Sequence, residues 1–197
     1  MTEKRILELF FENYDGNNLN DALTLTLEFS SKEIMKDVFG SFNFLPKIVE
    51  DILTAKAHIN LFLSIPQGKR FVVSLDWLRH FDHIRKTVKE SIIYARDNFE
   101  LMSGEFKKLF DRESLKVILA EWERISENSS GVPVEGRVFS LSEFKVYGVI
   151  LDSVLGGIIG MEKFSQYAKE YNNLISVLKR CQAECVRMIS SPTRKES

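Results

Sequence analysis

Two pairs of side chains have residue types that could bind a metal or take part in catalysis. His80 and His83 are three residues apart, and Asp82 lies between them. Two imidazoles make a poor metal site, because zinc sites in proteins use more protein ligands than that. Cys181 and Cys185 are four apart on one predicted helix, a spacing that does not favour a disulfide between them. We therefore predict no metal site, and small buried or half-buried helix residues for both cysteines.

Other catalytic patterns are missing from the sequence. It has no order of Ser, His and Asp that suggests a triad, no glycine-rich loop for phosphate, and no Glu-x-x-His pairs of a di-iron bundle. We expect no enzymatic activity, no catalytic residue and no cofactor. A helical enzyme with an aromatic pocket is kept as an alternative.

The side chains best suited to contact nucleic acid lie on a short predicted helix, residues 31–39. Lys32 and Lys36 can reach phosphate or guanine, and Asp37 can accept a hydrogen bond from cytosine. This helix follows another predicted helix, residues 17–27, whose apolar positions recur at spacings of three and four. Two short helices joined by a tight corner are typical of a helix-turn-helix.

Capping residues support this interpretation. Asn17 or Asn18 can cap the first of the two helices, and Ser30 or Ser31 the second, because short polar side chains accept from free N–H groups. Gly40 can end the second helix, since glycine adopts the left-handed conformation that a helix end needs.

The N-terminal segment resembles the DNA-binding domain of TetR/AcrR family transcriptional regulators. Residues 6–13 (ILELFFEN) are similar to the first helix of that family, which ends in a Leu-Phe pair and a polar residue. Two further segments match the family's second helix and its recognition segment: Tyr14-Asp15 with Leu19, Asp21 and Ala22, and Ser31-Lys32 with Met35, Phe39-Gly40-Ser41 and Leu45.

The resemblance implies a dimer whose third helices enter the major groove of operator DNA. It also implies that residues 1–47 are the DNA-binding domain. Phosphate contacts would come from the start of the second helix, where the helix end is positive. The implied DNA-binding residues are Asn17, Asn18, Ser31, Lys32, Lys36, Asp37 and Lys47.

The acidic charge of this segment and the replacement at Phe42 favour an alternative. Residues 1–47 hold eight acidic residues against five basic ones, so this segment repels phosphate overall. Phe42 stands where the family often has a lysine, and the turn at Leu27–Phe29 has no glycine. The alternative is a helical protein-interaction or scaffold module that has lost DNA binding.

The rest of the chain is predicted to be helical, giving about nine helices in an all-α fold. The resemblance implies that residues 48–190 bind an effector and form a homodimer through residues 140–190, followed by a polar tail at residues 191–197. Aromatic walls would favour a small apolar effector. The implied effector-binding residues are Phe62, Trp77, Phe81, Phe99, Trp122 and Tyr147.

Two observations bear on these helices. A β-hairpin is an alternative where apolar runs flank Pro66–Lys69. Four glycines in the predicted eighth helix need close approach of another helix.

The longest apolar stretch, Val146–Met161, is shorter than the ~20 residues of a membrane span. No signal peptide is evident, so we expect a soluble cytoplasmic protein with no membrane partner.

Taken together, these patterns predict a ligand-responsive transcriptional regulator, expected to act as a repressor. In this interpretation a small apolar effector releases the dimer from its operator by favouring a different spacing of the two DNA-reading helices.

Overall fold

The computed structural model describes residues 1–41, 43, 45–64, 75–128 and 141–190. Side chains are described for all of these except residues 75–78, 125–128, 141 and 189–190. Within these ranges there is no strand, and the prediction of an all-α fold is confirmed. A short 3-10 helix, Phe99–Leu101, separates two of the helices. The α-helices are α1 Glu3–Asn13, α2 Leu19–Phe39, α3 Lys47–Leu63, α4 Leu75–Asp97, α5 Gly104–Leu109, α6 Arg112–Asn128, α7 Leu141–Ile159 and α8 Met161–Ser190.

The corner of the predicted helix-turn-helix is absent, because α2 is continuous over 21 residues. Its sequence contains no glycine or proline, so every residue can continue the helix. The Ser31 hydroxyl, expected to cap a new helix, instead donates to the carbonyl oxygen of Leu27 at 2.6 Å. A hydroxyl bonded to the carbonyl four residues earlier sits within a helix and caps nothing. The prediction of two separate helices at residues 17–27 and 31–39 is therefore wrong.

The ends of α2 agree only partly with the predicted caps. Gly40 ends the helix with a φ of 73°, and its N–H donates to the carbonyl oxygen of Lys36 at 2.6 Å, as predicted. Asn18 occupies the N-cap position, but its side chain makes no capping hydrogen bond. Instead its amide nitrogen donates to the carbonyl oxygen of Asn13 at 2.9 Å, which stabilises the turn between α1 and α2.

The helices group into two compact units. The first contains α1, α2 and the part of α8 from Gln166 onward, and the second extends from Asn43 to Ser165. The N-terminal helices thus share a unit with the C-terminal helix, whereas the sequence suggested a division after residue 47. In this first unit α8 buries residues at alternating spacings of four and three, namely Tyr167, Tyr171, Leu174, Leu178, Cys181 and Cys185.

Aromatic side chains form the centre of the second unit. Phe62 of α3 stacks on Phe144 of α7 with ring centroids 4.5 Å apart, and Phe81 of α4 meets Phe144 edge-on at 5.8 Å. All three rings are buried, so each contributes a large apolar area to the stability of this unit.

A glycine in α7 allows α5 to pack closely in the second unit. A Cβ atom at Gly157 would lie 2.4 Å from Met102 Cε and 2.7 Å from Phe106 Cδ2, so only glycine fits without a shift. The Ser103 N–H also donates to the Gly157 carbonyl oxygen at 2.7 Å, and the Ser103 hydroxyl caps α5 by accepting from the Phe106 N–H. The close approach predicted for the glycine-rich helix is confirmed at this position.

Several other sequence predictions fall on described residues. The sequence predicts one long amphipathic helix from Ser74 to about Met102, but this helix ends at Asp97, where the 3-10 helix follows. Asp111 caps α6, since its carboxylate accepts from the Ser114 N–H at 2.7 Å and this bond lowers the pKa of Asp111. The first arm of the alternative hairpin is helical up to Leu63. The rest of the hairpin and the tail at 191–197 lie outside the described residues. So do residues 129–137 of the segment 127–137, which the sequence predicts to be an exposed polar loop.

Candidate functional site

The basic residues predicted to contact DNA lie on the middle of α2 and at the start of α3. Lys32 is half-buried and pairs with Glu28 at 2.9 Å, one helical turn earlier. Lys36, Asp37 and Lys47 are exposed. No helix begins near Lys32, so these side chains do not lie on the short, separate recognition helix that the prediction required.

The remaining predicted DNA contacts lie elsewhere in the first unit. Ser31 is fully buried, so it does not face a duplex in this structure. Asn17 is exposed in the turn before α2, and its N–H donates to Asp15 Oδ1 at 2.9 Å, as does the Asn18 N–H at 3.1 Å. The amides that would hold a phosphate here already bond to a carboxylate.

The predicted effector-binding aromatics are packed against other rings. Phe62 and Phe81 belong to the core cluster around Phe144 described above. Tyr147 is buried and meets the half-buried Trp122 edge-on, with ring centroids 5.1 Å apart. These contacts are those of a hydrophobic core, in which each ring fills space between helices.

The last two effector candidates differ from these. Phe99 is half-buried, and its ring centroid lies 6.5 Å from that of Phe106. Lys107 and Arg112 each hold a cationic group about 6 Å from the Phe99 ring, within cation–π range. The side chain of Trp77 lies outside the described residues.

The chain's three histidines lie together in the second unit. His58 of α3 has its ring centroid 4.1 Å from that of His80 and 5.7 Å from that of His83, both on α4. His58 is buried, and burial together with the two neighbouring imidazoles lowers its pKa to about 3. His58 is therefore neutral at physiological pH. Within the described ranges, no three His, Cys, Asp or Glu side chains are arranged to hold a metal ion.

The two cysteines are buried free thiols on one face of α8. Burial raises the pKa of Cys181, and the neighbouring Cys185 contributes to the same shift. A thiol held protonated in an apolar environment is a weak nucleophile. Both cysteines are buried helix residues, as the sequence predicted.

An ion pair joins two helices of the second unit. The Lys56 ammonium of α3 donates to Asp152 Oδ1 of α7 and lies 5.9 Å from the centroid of the Phe164 ring. Lys56 is buried, whereas 42% of the Asp152 side chain is exposed. The pair thus extends from the interior of the unit to its surface.

Asp152 reaches the surface at an open cleft lined by α5, α7 and the start of α8. The cleft has a volume of about 320 Å³ and opens to solvent. Its polar lining residues are Glu105, Asp152 and Ser153, and Ser153 donates its hydroxyl proton to the Val149 carbonyl oxygen at 2.9 Å. Its larger apolar lining side chains are Phe106, Leu109, Phe110, Val149, Met161 and Phe164.

Apolar side chains on the rim of this cleft remain in contact with water. Leu109 is 76% exposed, Val149 is 65% exposed and Met161 is 44% exposed. Single exposed apolar residues are ordinary, but contiguous ones around a concave surface mark interaction sites. Of the predicted effector-binding aromatics, the five whose side chains are described do not line this cleft.

The sequence contained two signals for this site. Lys56 lies among the apolar residues of one helix, between Ile52 and Ile59, and Asp152 is the one charged residue between Val146 and Met161. Two lone opposite charges within apolar segments are expected to pair, since a buried charge needs a partner. Val149 lies off the inward face of its helix, which indicates a second apolar surface.

The fold and this cleft define the class of protein: an all-α chain with an exposed apolar groove on its second unit. Comparison with models of known protein families, with curated proteins and with solved structures finds no match. None of the helices, over the described residues, is both long and apolar enough to cross a membrane.

Proposed function

We propose that this chain is a helical protein-interaction module that binds a partner protein through the cleft between α5 and α7. The observation that carries the proposal is the combination of a 320 Å³ apolar cleft and an exposed apolar rim at Leu109, Val149 and Met161. Covering this surface removes apolar area from water, which is the main favourable term in protein association.

A protein partner fits this surface better than a small ligand does. Small-ligand sites enclose most of the surface of their ligand, in volumes of roughly 300–1,000 Å³. This cleft is at the lower limit and open to solvent. A small ligand in it would leave Leu109 and Val149 exposed, whereas a protein surface can cover both.

The DNA-binding regulator stays a prediction with less support, because α2 is one continuous helix. Its test is fluorescence anisotropy with a labelled duplex taken from upstream of the chain's own gene. Salt-sensitive binding that is lost in the Lys32→Ala, Lys36→Ala double variant would favour the regulator. Release of the duplex by a small apolar compound would further favour an effector site.

The interaction module is tested with a surface-displayed library of amphipathic helices of about 18 residues, or five turns. The library is selected on the full chain, and the selected peptides are measured against two variants. Val149→Glu places a charge on the cleft rim, and Val117→Glu places one on the outer face of α6, at a residue that is also exposed (67%) and that does not line the cleft.

We expect selected peptides to bind the wild type and Val117→Glu equally, and to lose most of their affinity for Val149→Glu. Peptides that do not distinguish the two variants would overturn the proposal. Sedimentation of the full chain adds a second readout. A dimer that dissociates on Val149→Glu would make a second copy of the chain the occupant, in line with the homodimer predicted through residues 140–190.

A further inference from the structure

The cleft has a charge pattern that selects among possible partners. Its lining includes two carboxylates, those of Glu105 and Asp152, and no lysine, arginine or histidine. Glu105 is exposed at the start of α5, and among the described residues it forms no ion pair. A partner that places a cation near Glu105 can therefore form an ion pair there, because Glu105 has none with a described residue of this chain.

Asp152 has capacity for a second partner. Lys56 engages Oδ1 from the buried side, and no hydrogen bond to Oδ2 occurs among the described residues. Because 42% of the Asp152 side chain is exposed, the second oxygen can accept from outside. A carboxylate can accept several hydrogen bonds at once, so a partner does not need to displace Lys56.

The apolar side chains define the shape of the partner. The groove is lined by Leu109 at the end of α5, Val149 on α7 and Met161 at the start of α8. An amphipathic helix binds such a groove with apolar residues at spacings of three, four and seven. The flexible side chain of Met161 can adapt to different side-chain shapes of a partner.

We infer that the partner segment is an amphipathic helix with a lysine or arginine beside its apolar face, and that this cation pairs with Glu105 and the outer oxygen of Asp152. This inference rests on the proposed function, since it names the partner's chemistry at the same cleft. The apolar face supplies most of the affinity, and the cation fixes the orientation of the helix in the groove.

The charge is tested on the peptides selected above. We expect selection to enrich Lys or Arg at one position flanking the apolar face. Replacing that residue with Glu in the peptide should weaken binding about threefold or more, and Glu105→Lys in the chain should do the same. Combining the two changes should restore binding, because the charges are then exchanged rather than removed.

Glu113→Lys is the matched control, because Glu113 is an exposed acid of α6 that does not line the cleft. It changes the net charge equally and should leave binding unchanged. Glu105→Gln should also weaken binding of the selected peptides, and it does so without adding a cation to the first turn of α5. Added salt should reduce the difference between the Lys and Glu peptides.

Two failures are distinguishable. Peptides that lose binding to Val149→Glu but show no preference for Lys or Arg, and no rescue by the exchanged charges, would overturn the inference and leave the interaction module standing. Peptides that bind Val149→Glu as tightly as the wild type would overturn both.

Discussion

Lys56 of α3 pairs with Asp152 of α7, and the two ends of this pair lie in different environments. The ammonium is buried, while the carboxylate reaches the cleft and is 42% exposed. A buried charge that loses its partner costs more free energy than a charge that water can solvate. The two residues therefore contribute unequally to the stability of the second unit.

Removing the carboxylate should be the more costly change. Asp152→Ala takes the carboxylate away from the buried Lys56 ammonium, and we expect it to lower the free energy of unfolding by roughly 1–3 kcal/mol, after allowing for the exposure of Asp152. Lys56→Met leaves a carboxylate in water and an apolar chain in the interior, and should cost less than about 1 kcal/mol. Urea unfolding at neutral pH measures both. Equal losses in the two variants would contradict the argument from the unequal burial of the two charges.

His58 should make the stability depend on pH. Its pKa is about 3 in the folded chain and 6.5 in an unfolded one, so the unfolded state takes up a proton first as the pH falls. The contribution of neutral His58 is complete above pH 6.5 and is lost as the pH falls towards 3. Between neutral pH and about pH 4.5 this should lower the free energy of unfolding by roughly 2–3 kcal/mol.

His58→Phe isolates this contribution from the carboxylates that titrate over the same range. The variant should lose less stability than the wild type between neutral and acidic pH, measured by urea unfolding at each pH. Its stability at neutral pH serves as the reference for any packing change caused by the new ring. Parallel pH curves for the two chains would contradict the prediction.

Two glycines of α7 should respond in opposite directions to alanine. At Gly157 a new Cβ would lie under 3 Å from Met102 and Phe106, so Gly157→Ala should cost about 1–3 kcal/mol through overpacking. At Gly148 the nearest atom is Ile59 Cγ2 at 3.8 Å, an ordinary contact. Gly148→Ala should therefore stabilise by up to about 1 kcal/mol through its higher helix propensity. Thermal unfolding of the two variants measures both changes in stability. A stabilising Gly157→Ala would refute the close packing of α5.

The continuity of α2 can be tested at the position of the predicted corner. Glu28→Pro should destabilise the chain by about 3 kcal/mol or more, because proline in a helix interior removes a hydrogen bond and clashes with the preceding turn. Glu28→Ala, which removes only the pair with Lys32, should cost a few tenths of a kcal/mol. A true turn at Leu27–Phe29 would tolerate proline far better, and the amides of residues 28–31 would then exchange quickly with solvent.

Much of the fold could be predicted from the sequence. The end of α2 follows from Gly40, and the start of α6 follows from Asp111, which the sequence predicts as the cap of that helix. Both signals act within one helical turn. These signals do not depend on the rest of the chain, so the sequence alone is enough to predict these helix ends.

The corner within α2 could not be predicted correctly, because Ser30 and Ser31 have two uses that the sequence does not distinguish. A serine can cap a new helix or donate to a carbonyl of the preceding turn, and Ser31 does the latter. The choice depends on packing, since α2 buries residues on both sides of this point. The missing glycine at Leu27–Phe29 was the local signal for a continuous helix.

The cleft was missed for a different reason. The sequence predicts that aromatic residues such as Phe62 and Phe81 line a ligand pocket. In the structure, both of these rings pack against Phe144 in the core. The cleft is lined instead by residues from α5 and by residues from α7 and the adjoining start of α8, and α5 is far from the other two in the sequence. Their convergence depends on the contact at Gly157, and spacing within one helix cannot reveal it.

Every imidazole in this chain belongs to the single group formed by His58, His80 and His83. The histidine ring protons should therefore give magnetic resonance signals that all report on one place, the contact of α3 with α4. A change in the structure of that region of the second unit would therefore be visible directly in these signals, without any added label.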